Sequence, residues 1–210
     1  MREQNPSSSA LTLVRVENKS NSRIKKRIKP LVMGAMILGP LELLRRKRDL
    51  EAELTQAIID AKALTREAGT AQLVKQLEAV GVAEFPFVQT LTHDDVLASS
   101  TTASSLAAAW VAAIMLDQKN PNLILSKRLD RAIATEVARS YYDSIAEGAA
   151  QVSPKHHLKK RWNAILDRRV CNVCSTMDGR ETDLDKPFRG GVEPGYVHPL
   201  CRCIVEIISA

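Results

Sequence analysis

The feature that most constrains this chain is Cys171-Asn-Val-Cys174 followed by His198-Pro-Leu-Cys201-Arg-Cys203, near the C-terminus. All four cysteines of the 210 residues lie there, with one of the four histidines. The x2 spacing of Cys171 and Cys174 is the usual reach of two ligands on one turn of chain. His198 and Cys201 repeat it, and Cys203 follows at x1. Two such pairs separated by a loop can close a tetrahedral Zn²⁺ site. Five donors compete for four places, so one is spare. The preferred set is Cys171, Cys174 and Cys201 with either His198 or Cys203. Disulfides or bare packed thiols are the alternatives. The opening Met-Arg-Glu-Gln-Asn-Pro-Ser-Ser-Ser has no apolar core, so no signal peptide is expected, and a reducing compartment favours metal over disulfide. Catalytic zinc needs an open position and a nearby base, so a surplus of N and S donors points to a structural ion.

Hydrophobic residues make up 45% of the chain, enough for a core, while aromatics are only 4%. Ala- and Leu-rich segments predict helices. The net charge is +6 and the pI about 9.3, which suits nucleic acid or an acidic protein surface as partner. No apolar run is expected to reach the ~18–20 residues of a membrane span. Leu31–Leu44 comes nearest, interrupted by Gly34, Gly39, Pro40 and Glu42, so no membrane partner is expected.

Three segments are predicted. Residues 1–30 read as a flexible arm whose Arg23-Ile-Lys-Lys-Arg-Ile-Lys29 run either contacts an acidic partner or is simply solvated. Residues 31–150 read as a helical domain. Its apolar start, between basic runs, should dock on another protein or on the chain's own helices. A long helix from about 41 to 67 carries a seam of Leu43, Leu50, Leu54, Ala57, Ala61, Leu64 and Ala68, for oligomerisation or internal packing. Gly69 should break it, Thr70 cap a second helix, and Gly81 stop that one. Residues 82–93, with Pro86, read as a loop. A helix follows to Leu116, Asn120-Pro121-Asn122 ends it, and Ser126 caps another that runs to about Glu147 with Gly148 as its stop.

Residues 151–210 form the third segment. Trp162, Ala164 and Leu166 alternate with polar residues as in a half-buried strand. Asp178-Gly179 marks a tight turn. Cys203–Ile208 is a closing strand able to pair with the Trp162 strand. Between Cys174 and His198 there is little apolar mass, so a bound ion is the expected staple. The fold class is α+β: a mainly helical body followed by a small β and zinc-binding module.

These residues resemble a family. Lys160-Arg-Trp162, Asp167-Arg-Arg-Val-Cys171-Asn-Val-Cys174, Asp178-Gly179, Pro187-Phe188, Pro194 and His198-Pro-Leu-Cys201-Arg-Cys203 are similar to the C-terminal signature of the phage Mu F-like minor head, or head morphogenesis, proteins. Ala132–Arg139 resembles the family's helix with a Thr-Glu pair. The match covers about residues 125–208. It implies a virion component of a tailed phage or prophage, present in several copies at the portal vertex or inside the head. Such a protein binds portal or major capsid protein, possesses no enzyme activity by this domain alone, and acts in head assembly and DNA packaging or delivery. Family members are often longer, and the absence of a C-terminal effector region favours the structural role.

Two other readings stay open. As a nuclease, the chain would draw on His156, His157 and His198 with Asp167, Asp178, Asp183 and Asp185, but these show no paired arrangement at helical spacing. As a nucleic-acid-binding zinc module, it would approach packaged DNA through Lys155, Lys159, Lys160, Arg161, Arg168 and Arg169. Asp167 is a candidate to orient His198 or Arg169, and Arg202 to hold Asp167 or offset thiolate charge. Asp178 is expected to shape its turn.

Overall fold

The structure, a computed structural model, describes residues 8–33, 39–82, 91–116, 120–152, 156–166 and 170–210. Along the chain run α1 (Ser8–Val32), α2 (Pro40–Ala79), α3 (His93–Met115), α4 (Pro121–Val152), β1 (Leu158–Asn163), α5 (Asn172–Met177), β2 (Glu181–Asp183) and β3 (Ile204–Ser209). The α+β class follows directly: long helices, then a small antiparallel sheet. The chain divides into two compact units, one of residues 18–63 and 91–133, the other of residues 1–17, 64–90 and 134–210. The expected boundaries near 30 and 150 do not coincide with this division. Each unit is assembled from parts of α2 and α4.

The first unit is wholly helical. Ile24, Ile28 and Val32 of α1 are buried at a spacing of four. Residues 8–30, expected within a flexible arm, are therefore helical; residues 1–7 lie outside the described range. The basic run hides an apolar stripe, and two of its cations find acidic partners. Arg27 pairs with Glu53 at 2.9 Å and Asp60 at 2.8 Å, and Lys25 with Asp130 at 2.6 Å. Of the seam on α2, Leu43, Leu50, Leu54, Ala57 and Ala61 are buried within this unit, which is the internal-packing alternative. The stretch from Leu31 to Leu44 divides: Val32 and Leu43 are inside, Met33, Leu41 and Leu44 outside, and residues 34–38 lie outside the described range.

Helix α3 starts at a capping box. The Thr92 hydroxyl accepts from Asp95 N–H, and the Asp95 carboxylate accepts from Thr92 N–H. By length and composition alone this helix is long and apolar enough to cross a membrane, against the expectation that no apolar run reaches that length; Ser and Thr interrupt its apolar stretch. Its Ala103, Leu106, Ala107, Trp110 and Val111 are buried at helical spacing. The Trp110 indole N–H donates to Asn122 Oδ1 at 2.9 Å, and the Asn122 amide donates to the Val32 carbonyl at 3.2 Å. Asn120-Pro121 begins α4 rather than only ending its predecessor, and Ser126 is interior. Proline suits a first helical turn, where its missing N–H has no partner to lose.

In the second unit α2 continues through Gly69, correcting the expected break. A Cβ at Gly69 would meet Ser144 Oγ at 1.8 Å and the Tyr141 carbonyl oxygen at 3.1 Å. This glycine therefore lets α4 approach closely. One glycine costs a helix only ~1 kcal/mol, which packing can offset. Gly81 does stop α2. Its φ is +82°, and Val82 N–H reaches the Leu77 carbonyl at 2.9 Å while Gly81 N–H reaches that of Glu78 at 3.1 Å.

The sheet has the order β2-β1-β3, all neighbours antiparallel. The closing strand pairs with the tryptophan strand as expected, with Trp162 opposite Val205. Leu158, Lys160 and Trp162 face inward. Trp162 meets Phe188 edge to face, centroids 5.1 Å apart. The outer edge of β3 is covered by Gln76 of α2. Its Oε1 accepts from Ile207 N–H at 3.0 Å, and its Nε2 donates to the Val205 carbonyl at 3.4 Å. One side-chain amide thus imitates a neighbouring strand where an open edge would invite another chain.

Candidate metal centre

Two arms bring the donors together, and they are built differently. The first is local. Cys171 is the N-cap of the six-residue α5, and its Sγ accepts the backbone N–H of Cys174 at 3.3 Å. The x2 spacing makes this bond possible, because one helical turn returns the amide to the capping side chain. The Asp178 carboxylate accepts from Ala164 N–H at 2.8 Å, shaping the turn as expected. Gly179, at φ +74°, then leads into β2.

The second arm is laid along α4. Glu193 Oε2 accepts from the Tyr142 hydroxyl at 2.6 Å, and its Oε1 pairs with buried Lys160 at 2.8 Å. Burial and the Glu193 hydrogen bond both push the Tyr142 phenol well above its ordinary range. Gly195, at φ +83°, sits so close to α4 that a Cβ would lie 3.3 Å from the Ala138 carbonyl oxygen. The Tyr196 hydroxyl donates to Asp143 at 2.8 Å, and Arg139 stacks over its ring at 5.1 Å. Leu200 holds a left-handed φ of 66°, and its N–H donates to Thr135 Oγ1 at 3.3 Å. Thr135, Arg139 and Tyr142 lie at i, i+4 and i+7, one face of the helix. This loop was expected to depend on an ion for want of apolar mass; hydrogen bonds and aromatic contacts to α4 hold it too.

Where the arms meet, Cys171, Cys174 and His198 form one group, and Cys174, Cys201 and Cys203 another; within each the donor atoms lie within 4.8 Å of one another. Cys174 belongs to both. Its Sγ is 3.5 Å from His198 Nε2 and 3.9 Å from Cys201 Sγ. A tetrahedral ion with Zn–S of about 2.3 Å and Zn–N of about 2.0–2.1 Å separates its ligands by about 3.8 Å for two sulfurs and about 3.5 Å for sulfur and nitrogen. The donor set fits such an ion. His198 Nδ1 lies 2.7 Å from the Pro199 carbonyl oxygen; donating there turns the Nε2 lone pair toward the sulfurs. All four cysteines are free thiols.

The sulfurs are electrostatically unequal. A hydrogen bond from Cys203 holds the Cys201 thiol down at about 5, and the same bond, with burial, pushes Cys203 up. Burial pushes Cys174 up to about 12. Burial opposes ionisation of Cys171, but the Cys174 amide and nearby His198 bring it below its ordinary value. The bond to Pro199 raises His198. A cleft of about 20 Å³ opens here, lined by Ile165, Val170, Leu200 and Arg202 besides the donors.

The other candidates lie apart from this cluster. Asp183 pairs with Lys186 at 2.6 Å. Among the described residues, His156, His157, Asp178 and Asp185 join no group of three possible metal ligands. Asp167, expected near Arg169, His198 or Arg202, lies outside the described residues with Arg169, as do Lys155 and Arg168 of the basic approach. Sequence reasoning missed Lys160, Tyr142 and Glu193 as supports of the site. The polar stripe on the Tyr-rich part of α4 was the signal that could have found them.

Long helices followed by a small antiparallel sheet, with four cysteines and a histidine gathered beside it, define a mainly helical α+β protein with a candidate metal site in its tail. The chain matches the family described as phage Mu protein F like protein over residues 19–206, nearly its whole length. It therefore belongs to that family of phage head proteins. No curated protein and no solved structure matches the chain.

Proposed function

We propose that the chain is a structural minor head protein of a tailed phage or prophage, bound to the portal or the inner capsid and acting in head assembly and in DNA packaging or delivery. The observation that carries this reading is the family match combined with five soft donors gathered where the two arms meet. In this reading Cys171, Cys174, His198 and Cys201 hold a structural Zn²⁺, and Cys203 stands behind Cys201 as a hydrogen-bonding thiol. The ion supplies rigidity: it ties α5 to the loop resting on α4, so the tail presents one fixed surface to its neighbours. Phage Mu F-like proteins are structural head proteins, and no residue here is assigned a catalytic part.

Two measurements test this. Protein purified under reducing conditions should carry one zinc per chain by elemental analysis. Purified particles should contain the chain, with density for it beside the portal or on the inner capsid wall. Zinc-free folded protein would remove the ion from the reading, and particles lacking the chain would remove the head role.

A further inference from the structure

The described residues that end α1 and α3 and begin α2 and α4 are rich in exposed apolar side chains and in basic ones. Met33, Leu41, Leu44, Met115, Leu116 and Leu123 account for half of the large apolar side chains exposed among the described residues, Leu41 at 84% and Leu116 at 70%. Direct bonds tie the end of α1 to the starts of α2 and α4, and the start of α4 to α3. Arg46 donates to the Leu31 and Met33 carbonyl oxygens, both at 3.0 Å, and Asn122 bridges Val32 and Trp110. Residues 26–33, 40–48, 109–116 and 120–128 carry nine basic side chains and one acid, Glu42; of the nine, Arg27 and Lys47 also pair with Glu53, Asp60 and Glu51 outside these stretches. The chain's net charge is only +6, so the rest of it holds more acid than base. Lys29, Arg48 and Lys127 have no acidic partner among the described residues. Beside this end, between α1 and α4, runs a cavity of about 230 Å³ with Ile28, Val32, Leu125 and Leu129 inside and Lys25 and Lys29 at its edge.

We infer that this end is a docking surface for an acidic amphipathic segment of another head protein, whose apolar residues enter the α1–α4 cavity while its carboxylates meet the lysines and arginines there. The inference rests on the head-protein reading and names a surface for it. A second copy that met it through the same end is a poor occupant, since it would bring like charges together. Nucleic acid would meet the cations but leave the apolar side chains wet, and none of the six exposed apolar side chains is aromatic, as base stacking requires. Lipid interfaces likewise favour Trp and Tyr anchors. Leucine and methionine beside a concave apolar groove match a helix-in-groove contact.

The test is incorporation into particles. Leu41→Asp with Leu116→Asp, and separately Arg45→Glu with Arg48→Glu, alter exposed side chains, and circular dichroism checks that the helices persist. Each pair should lower the copies of this chain per particle, by quantitative mass spectrometry, at least ~10-fold. A photo-crosslinker at position 116 should join it to an acidic segment of a head protein. Both pairs entering particles at the wild-type level would overturn the inference alone; wild-type chain missing from particles would take the head-protein reading down as well. Dimers of the pure protein that the Asp pair dissolves, or flotation of the wild type with phosphatidylglycerol vesicles, would each overturn it in favour of those occupants.

Discussion

The two arms of the metal centre are held by different means. The Cys171–Cys174 arm has one amide-to-sulfur bond, a six-residue helix and the Asp178 turn, and is tied to the sheet only past that turn, where Gly179 N–H donates to the Trp162 carbonyl at 2.9 Å and Trp162 N–H to the Arg180 carbonyl at 2.8 Å. The 193–203 arm has Glu193, Gly195, Tyr196 and Leu200 fastened to α4 or β1 before any ion is considered. The lesson is that a metal need not fold everything around it. In the reading proposed above, an ion would join an arm with few bonds near its two cysteines to one already seated on α4, so ordering energy would be spent mostly on the first. Removal of the ion should therefore be felt unequally.

The largest effect should come from the residue common to both donor groups. Cys174→Ser removes the shared sulfur, and stoichiometric metal should be lost by elemental analysis. In that variant, or in chelator, amide exchange should rise across residues 170–178 far more than across 193–200. Equal loosening of both arms would break the comparison. Next comes Glu193→Ala, which strands buried Lys160 and removes the Tyr142 acceptor. Breaking a buried pair this way costs roughly 3 kcal/mol, at the low end of such losses because Glu193 is partly exposed. Urea unfolding should show it even with metal present. Gly195→Ala should cost about 1–2 kcal/mol, because a left-handed φ disfavours a side chain and its Cβ would press on the Ala138 carbonyl oxygen at 3.3 Å. The smallest effect should be that of Cys203→Ser, which keeps one metal per chain and changes stability by ~1 kcal/mol or less. His198→Ala should weaken metal binding at least ~10-fold in a competition titration. The reverse result for this last pair would exchange the two residues' roles.

Much of the site was legible because its signals are local. Ligand spacing, the Asp178-Gly179 turn and the Gly81 stop each depend on residues within one turn of chain. The pairing of β1 with β3 was also readable, since Trp162 and the Ile-Val-Glu-Ile-Ile run are the two strand-like stretches that bracket the donors. The seat of the second arm on α4 was not, because Tyr142 and Glu193 are 51 positions apart and neither is unusual in its own neighbourhood. The basic stretch at 23–29 misled for a related reason. Its apolar stripe is only two residues wide, and charge dominates any count of composition.

By itself, the sequence determined an α+β chain with five soft donors near its end and a helix stopped at Gly81, because such choices are made by neighbours within a few bonds; the stops expected at Gly69 and Gly148 were overridden, since α2 and α4 run through them. Only the tertiary structure decided that α1 is a packed helix, that Gly69 admits α4 instead of ending α2, and that a carboxylate at 193 completes a buried lysine. Those outcomes depend on which distant surfaces meet, and a local pattern of residues carries no record of that meeting.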